Sequence, residues 1–314
     1  MNFWQKLKKP FFVLAPMHEV TDSAFRQIVA GYQRPDVFLT EFISADGLCH
    51  PISREKIIRY YLGYSKKEKP IVAQVWGSRP QKIFEAAKII AELGFDGVDI
   101  NMGCPDKAVV KSGGGAALIL NPKLAQEIVL AAKKGAPNLP VSVKTRLGFN
   151  KNIVEDWIGS IMKAKPEAVI IHGRLKTQNY QAPADWDSIG KAAKIVQNSG
   201  ALAIGNGDVK NIYQAREKAN LYGLDGVMIG RGVLGNPWFF DEKRSVSINR
   251  EDRLKVAIKH SRLFEKVFKN IKPFHHIRKH LAAYISNFPG SKELRFQLMS
   301  AKNSKEVRKI IIGC

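Results

Sequence analysis

The chain has 314 residues, 45% of them hydrophobic and 25% charged, as in an ordinary globular protein. No run of about 18 apolar residues occurs, so no membrane-spanning helix is expected, and the polar start from Met1 to Pro10 does not read as a secretory signal. Lysine and arginine number 50 against 28 acids, a net charge of +22, which suits a polyanion partner as well as it suits a solvated basic surface.

The three cysteines, Cys49, Cys104 and Cys314, are too few and too odd in number for a disulfide framework. They point to a reducing, cytoplasmic setting with room for one reactive thiol. The charge is uneven: from Arg244 to Cys314 there are 17 basic and 5 acidic residues, +12 in 71 residues, and the other 243 carry +10.

In chain order, the expected strands are Phe11–Ala15, Val37–Thr40, Ile71–Trp76, Gly97–Asn101, Val141–Thr145, Ala168–His172, Ala201–Gly205 and Gly226–Ile229. Most are continuous and β-branched, the pattern of parallel strands covered on both faces. Amphipathic segments such as Pro80–Leu93 and Pro122–Lys134 lie between them, with prolines suited to first helical turns and with Gly94 and Gly135 suited to helix C-caps. Eight strand–helix units indicate a (β/α)8 TIM barrel over residues 1–240. A doubly wound sheet is the other fold to weigh. The first strand is followed by Ala15-Pro16-Met17-His18-Glu19, without the glycine-rich turn of such sheets. Residues 250–314 have helical spacing and many cations. They are expected to form a small all-helical C-terminal domain of about three helices, broken at Pro273 and at Asn287-Phe288-Pro289-Gly290.

Barrel enzymes draw catalytic side chains from the carboxyl ends of their strands. Those ends read Pro16-Met17, Glu41, Gln74, Asn101, Lys144, His172, Asn206-Gly207-Asp208 and Gly230-Arg231. One buried Gln or His is ordinarily a satisfied core residue, but polar groups on seven of eight strands define a site. The last two loops are glycine-rich, as the phosphate loops of this fold are, and Arg231 adds a fork of donors. A phosphate site with Gln74, Lys144 and His172 close by fits flavin mononucleotide, whose reduced ring a nearby cation stabilises. Lys144 could also serve as a Schiff-base lysine.

Cys104 lies in Asn101-Met102-Gly103-Cys104-Pro105-Asp106-Lys107, ahead of Gly113-Gly114-Gly115. A thiol on such a loop sits over the barrel mouth, where a purely structural cysteine is less expected. No Cys-x-x-Cys or His cluster occurs, so no metal site is expected. Cys49 and Cys314 are assigned no role.

Together these motifs resemble the tRNA-dihydrouridine synthase family. The likeness also runs through Thr40-Glu41-Phe42, Val143-Lys144-Thr145-Arg146-Leu147-Gly148, His172-Gly173-Arg174, Met228-Ile229-Gly230-Arg231-Gly232 and Ile277-Arg278-Lys279-His280. Glu19 departs from the small residue expected after the first strand. The resemblance implies an FMN barrel followed by a tRNA-binding helical domain, in a cytoplasmic monomer. It implies that Pro16, Met17, Gln74, Lys144, His172, Asn206, Gly207, Asp208, Gly230 and Arg231 hold the flavin. It implies that Asn101, Lys107, Arg146, Arg174, Tyr180 and Arg278 meet the tRNA. NADPH or NADH would reduce the flavin. A uridine displaced from the RNA fold would then receive a hydride from it and a proton from Cys104, acting as general acid. Two other readings remain open. One is an FMN barrel acting on a small molecule, such as a dihydroorotate dehydrogenase; the other is a non-catalytic RNA-binding barrel.

Overall fold

The computed structural model describes residues 2–178, 182–244, 247–286 and 288–313. The apolar runs form strands β1 (Phe11–Leu14), β2 (Val37–Leu39), β3 (Ile43–Ser44), β4 (Ile71–Trp76), β5 (Gly97–Met102), β6 (Val141–Gly148), β7 (Ala168–Leu175), β8 (Leu202–Asn206) and β9 (Gly226–Ile229). They pair in parallel in the order β2-β1-β9-β8-β7-β6-β5-β4-β3, and a β2–β4 pairing closes the ring. β2 and β3 share one barrel position. Phe38 pairs with Ile71 near the start of β4, and Ile43 pairs with Val75 near its end. The result is the expected eight-stranded TIM barrel. The break between β2 and β3 turns the Glu41 side chain into a fully buried position, and the Thr40 hydroxyl there accepts the Gln74 N–H at 3.1 Å.

Side chains alternate along a strand, so every second residue faces inward. The inward series begin apolar. Phe11, Val13, Val37, Leu39, Val72, Ala168, Ile170, Ile204 and Met228 form one internal cluster, closed below by Trp4, which is 1% exposed. Continued upward in the same register, those series reach Gln74, Asp99, Asn101, Lys144, Arg146, His172, Arg174 and Asn206. The alternate set, including Leu14, Phe38, Ile71 and Val143, packs against the surrounding helices.

Pro80 and Pro122 stand in the first turns of helices Pro80–Glu92 and Pro122–Gly135, and Gly94 follows the first of these with φ +77°. Gly135 has a different purpose from the expected cap. It is the last residue of its helix, and a Cβ there would lie 2.2 Å from the Phe84 carbonyl oxygen, so glycine permits the two helices to touch.

Beyond residue 249 the described chain forms helices Arg250–Val267, Arg278–Tyr284, Ser291–Leu298 and Ser304–Ile312. The breaks expected at Pro273 and at Phe288-Pro289-Gly290 are present, and Asn287 lies outside the described residues. The extra one before Ser304 is made by Asn303, whose side chain accepts the Glu306 N–H. Phe264, Tyr284, Leu298 and Val307 pack in one apolar cluster with Ala24, Ile28 and Trp238, so the helical segment rests on the outer helix Ser23–Ala30. Lys272 fixes the join. Its ammonium lies 3.4 Å from Glu41 and 4.0 Å from Asp22, with the rings of Tyr60 and Phe268 at 4.2 and 4.5 Å. Glu19, with φ +54°, adds a rim contact through its carboxylate, 3.1 Å from Lys279.

Burial pushes the Asp22 carboxyl up to about 6, against the opposing pull of Lys272. A raised carboxyl favours folding while protonated. That contribution is whole below the ordinary aspartate range near 3.8 and is lost as pH rises through about 6. Unfolding of wild type and Asp22→Asn by urea from pH 4 to pH 7 should therefore show wild type losing about 2 kcal/mol relative to the variant. A constant difference across that range would show that Asp22 ionises normally.

Candidate active site

The inward polar side chains open into a cavity of about 800 Å³ at the carboxyl ends of the strands. Of the residues expected to hold a cofactor, all line it: Pro16, Met17, Gln74, Lys144, His172, Asn206, Gly207, Asp208, Gly230 and Arg231. Cys104, Asn101, Arg146 and Arg174 line it too. Lys107 is exposed in the first turn of helix Lys107–Lys111, three residues past Cys104 and outside the lining. Arg278 also stands outside it, although its neighbour Lys279 pairs with Glu19 beside the lining residue His18. Tyr180 lies outside the described residues.

One hydrogen-bonded chain crosses the barrel. Ser142 Oγ donates to Asp99 at 2.6 Å, and Gln74 Nε2 donates to the other Asp99 oxygen at 2.7 Å. Asn101 Nδ2 donates to Gln74 Oε1 at 2.9 Å. Asn101 Oδ1 then accepts the backbone N–H groups of Gly103 and Cys104 at 3.1 and 2.8 Å. Arg146 holds the same loop from its far side, Nε donating to the Gly103 carbonyl at 2.7 Å.

Cys104 is 9% exposed. Burial pushes its thiol above the usual range, which the Asp106 N–H and the charges of Arg146 and Lys144 offset only in part. The thiol is therefore protonated at neutral pH, the form a proton donor needs. Cys49 is buried under helix Pro80–Glu92 and donates to the Lys82 carbonyl at 3.4 Å, away from the cavity.

The opposite wall is cationic. Lys144 Nζ donates to Asn206 Oδ1 at 3.2 Å, and Asn206 Nδ2 donates to the Met228 carbonyl at 2.8 Å. Burial, reinforced by Arg146, pushes the Lys144 ammonium down to about 8, with Asp99 opposing. His172 is held well below its usual range by burial and then by the charges of Lys144, Arg146, Arg174 and Arg231, so it is neutral. Its Nε2 lies 3.2 Å from Arg174 Nη1. A guanidinium only donates, so Nε2 accepts and the ring proton sits on Nδ1. Asp208 joins the two glycine-rich loops to the wall. It pairs with Arg174 and, at 2.8 Å, with Arg231. Its burial would raise it, but the Arg174 and Ala184 hydrogen bonds and both arginine charges hold it below the usual carboxylate range. Gly207, with φ +139°, has no room for a Cβ, which would meet Ala184 at 2.6 Å.

Sequence reading passed over Asp99, His18 and Phe42. Asp99 carried a usable signal, because it is two residues before Asn101 and therefore faces the same way. His18 and Phe42 line the cavity with ring centroids 5.4 Å apart; only their places beside Met17 and Glu41 hint at this. Among the described residues no cluster of three or more His, Cys, Asp or Glu is placed to hold a metal ion, and no helix is long and apolar enough to cross a membrane.

The fold and this mouth define a TIM-barrel protein whose site gathers a protonated thiol, a buried amide chain and a cationic wall. Among solved structures it is similar to a mutant of morphinone reductase in complex with tetrahydroNAD, with TM-score 0.54 and 11% identity, covering 76% of this chain and 87% of that one. It is similar as well to 2-naphthoyl-CoA reductase in complex with 2-naphthoyl-CoA, with TM-score 0.57 and 11% identity, covering 78% and 51%. These likenesses concern the barrel. The profile described as Dihydrouridine synthase (Dus) matches residues 13–312. "Probable tRNA-dihydrouridine synthase" of Staphylococcus epidermidis is 39% identical over 99% of this chain and 95% of its own length. "Probable tRNA-dihydrouridine synthase 2" of Bacillus subtilis has the same identity and the same coverage. The chain belongs to the dihydrouridine synthase family.

Within the glycine run Gly113-Gly114-Gly115, the last residue packs directly against the cysteine loop. Gly115 has φ +56°, and a Cβ there would stand 2.8 Å from the Cys104 carbonyl oxygen and 3.1 Å from Cys104 Cβ. Gly115→Ala should cost about 1–3 kcal/mol in urea unfolding, from backbone strain alone, and more if Cys104 has to move. Unchanged stability would show that the loop yields freely at this point.

Proposed function

We propose that the protein reduces uridines in tRNA to 5,6-dihydrouridine, with flavin mononucleotide as cofactor, NADPH or NADH as reductant and Cys104 as general acid. The observation that carries this reading is Cys104 itself, a buried, protonated thiol held at the edge of a flavin-sized cavity in a chain of this family.

The cavity suits the cofactor by the chemistry of its donors. Its volume falls in the ordinary range for ligand pockets, roughly 300–1,000 Å³. The backbone of Asn206-Gly207-Asp208 and Gly230-Arg231-Gly232, with the Arg231 guanidinium, would hold the phosphate. Gln74, Lys144 and His172 would face the polar edge of the ring system, and Pro16 and Met17 would pack against its body. When bound, the flavin supplies two-electron hydride-transfer chemistry.

Cys104 donates its Sγ proton to one carbon of the uracil 5,6 double bond, and the thiolate left behind is reprotonated from solvent. Asn101 holds the cysteine loop through Oδ1 and gives one Nδ2 hydrogen to Gln74, and its second Nδ2 hydrogen would be the one to meet the base. Arg146 and Arg174 supply the positive lining around the base. Lys107, exposed three residues from Cys104, and Arg278 would take backbone phosphates. We assign Tyr180 to the substrate side on its place in the sequence alone.

Residues 250–314 serve in this reading as the tRNA-binding domain. Lys255, Lys259, Arg262 and Lys266 edge a recess along helix Arg250–Val267, and Arg262 is shared with a second recess edged by Lys305, Arg308 and Lys309. Cations scattered through the sequence thus gather on adjoining helices, and contacts of this kind place RNA without reading its bases.

Freshly purified protein should be yellow and should release FMN on heat denaturation. Cys104→Ala should keep the flavin, its oxidation of NADPH and its affinity for tRNA, and should lose about 10²–10⁴-fold in dihydrouridine formation. A colourless protein that stays colourless with added FMN, or a Cys104→Ala enzyme as fast as wild type on tRNA, would overturn the corresponding part of the reading.

Changing Lys255, Lys259, Arg262 and Lys266 together to Gln in the full chain should weaken tRNA binding. It should also lower the slope of log affinity against log salt by up to about one unit for each phosphate contact removed. An unchanged slope would place the tRNA on another face.

A further inference from the structure

We infer that Asp99 is a positioning residue for the reaction, and that its carboxylate, by fixing the orientation of the Gln74 amide, sets the polarity of the hydrogen-bonded chain that aims Cys104.

Asp99 and Gln74 are both fully buried, and Asn101 is 6% exposed. Asp99 is not among the cavity-lining residues, so it acts through others. The argument rests on donors and acceptors. At one end of the chain stand the N–H groups of Gly103 and Cys104, which can only donate. Asn101 must turn Oδ1 toward them, which leaves Nδ2 facing Gln74. Gln74 must then present Oε1 to Asn101 and Nε2 to whatever lies behind it. What lies behind it is Asp99, an acceptor at 2.7 Å, and Ser142 donates to the other carboxylate oxygen. Both ends of the chain therefore demand the same orientation of both amides. A side chain at position 99 that cannot accept would leave Gln74 Nε2 buried and unpaired. The amide would then gain by turning over, and a turned Gln74 sets donor against donor at Asn101. Relief at that contact requires Asn101 to rotate, which removes the acceptor from the Cys104 loop.

This deepens the proton-donor reading of Cys104, and it rests on that reading only for the effect on turnover. Two variants separate the role of acceptor from that of filler. Asp99→Asn keeps an oxygen for Gln74 and lets the Ser142 hydroxyl accept from the new amide. Asp99→Val suits a strand, fills the space and cannot accept.

The first readout needs neither flavin turnover nor tRNA. Iodoacetamide modification of Cys104 is followed by mass spectrometry on its own peptide, with the buried Cys49 in the same chain as the control for general loosening. In Asp99→Val the Cys104 rate should rise about 5-fold if one loop hydrogen bond is lost and about 30-fold if both are, at the usual net strength of such bonds. Cys49 should stay at its wild-type rate, and Asp99→Asn should react within about twofold of wild type.

In turnover, Asp99→Val should lower kcat for dihydrouridine formation about tenfold relative to Asp99→Asn, which loses the same charge beside Lys144, with KM for tRNA within about twofold of that variant. Should the valine protein fail to fold, Asp99→Ala is measured in its place and read in the same way. The inference is overturned by a native Cys104 rate in the non-accepting variant. It is equally overturned if Cys49 rises in step with Cys104, or if Asp99→Asn loosens the loop as much as Asp99→Val does. A fully active Cys104→Ala enzyme alongside a loosened Cys104 in Asp99→Val would remove the proton-donor reading and leave the positioning role of Asp99 intact.

Discussion

The site depends on a requirement that admits few solutions: polar groups inside a closed barrel must satisfy one another, because little water reaches them. The stretch from Ser142 through Asp99, Gln74 and Asn101 to the Cys104 N–H meets that requirement without an unpaired atom at any joint. Four side chains on three adjacent strands, β4, β5 and β6, therefore behave as one unit. A loop carrying a reactive thiol would ordinarily be the mobile part of a barrel mouth. Here it is tethered to the strands by Asn101 on one side and Arg146 on the other. Gly115 allows the following segment to close over it without a side chain in the way.

Electrostatics divide the cavity in two. On the Cys104 side, burial dominates and keeps the thiol protonated. Across from it, burial and the charge of Arg146 depress Lys144, and burial with the charges of Lys144, Arg146, Arg174 and Arg231 keeps His172 neutral. Two carboxylates temper this wall, Asp99 beneath Lys144 and Asp208 between the arginines. The arrangement leaves a net positive charge on this side of the cavity. It does so without accumulating so much that a buried lysine must give up its proton at neutral pH.

Much of this was legible before any coordinates. The strands announced themselves as β-branched runs, and polar residues at their carboxyl ends marked the mouth, because a parallel barrel leaves only that end free to carry chemistry. Strand ends were read short where polar residues belong to the ladder. β6 continues through Arg146 to Gly148 and β7 through Arg174 to Leu175, since an inward arginine at the rim is tolerated where one lower down is not. Asp99 escaped notice because a charged residue within an apolar strand looks like an interruption until its partners are known. Those partners lie 25 and 43 residues away, and no local pattern encodes them. Gly135 was read as a cap because a glycine near a helix end serves in caps more often than in helix contacts. The helix it touches, Pro80–Glu92, is distant in sequence.

Glu19 shows how the two parts of the chain constrain each other. By itself it is an awkward residue, left-handed and acidic in the turn after β1. Its carboxylate makes sense only with the helical segment in place, where Lys279 and His276 face it. Its N–H donates to Glu41, the same carboxylate that receives Lys272. The turn that carries His18 and Met17 into the cavity is thereby connected, through two acids, to two lysines of the helical segment. Mass action follows from that connection. A ligand that orders the turn from the cavity side also favours docking of the helices, and a polyanion that steadies the helices also favours the ordered turn. The coupling is reciprocal, so anything that steadies the turn and anything that steadies the helices act on one shared set of contacts.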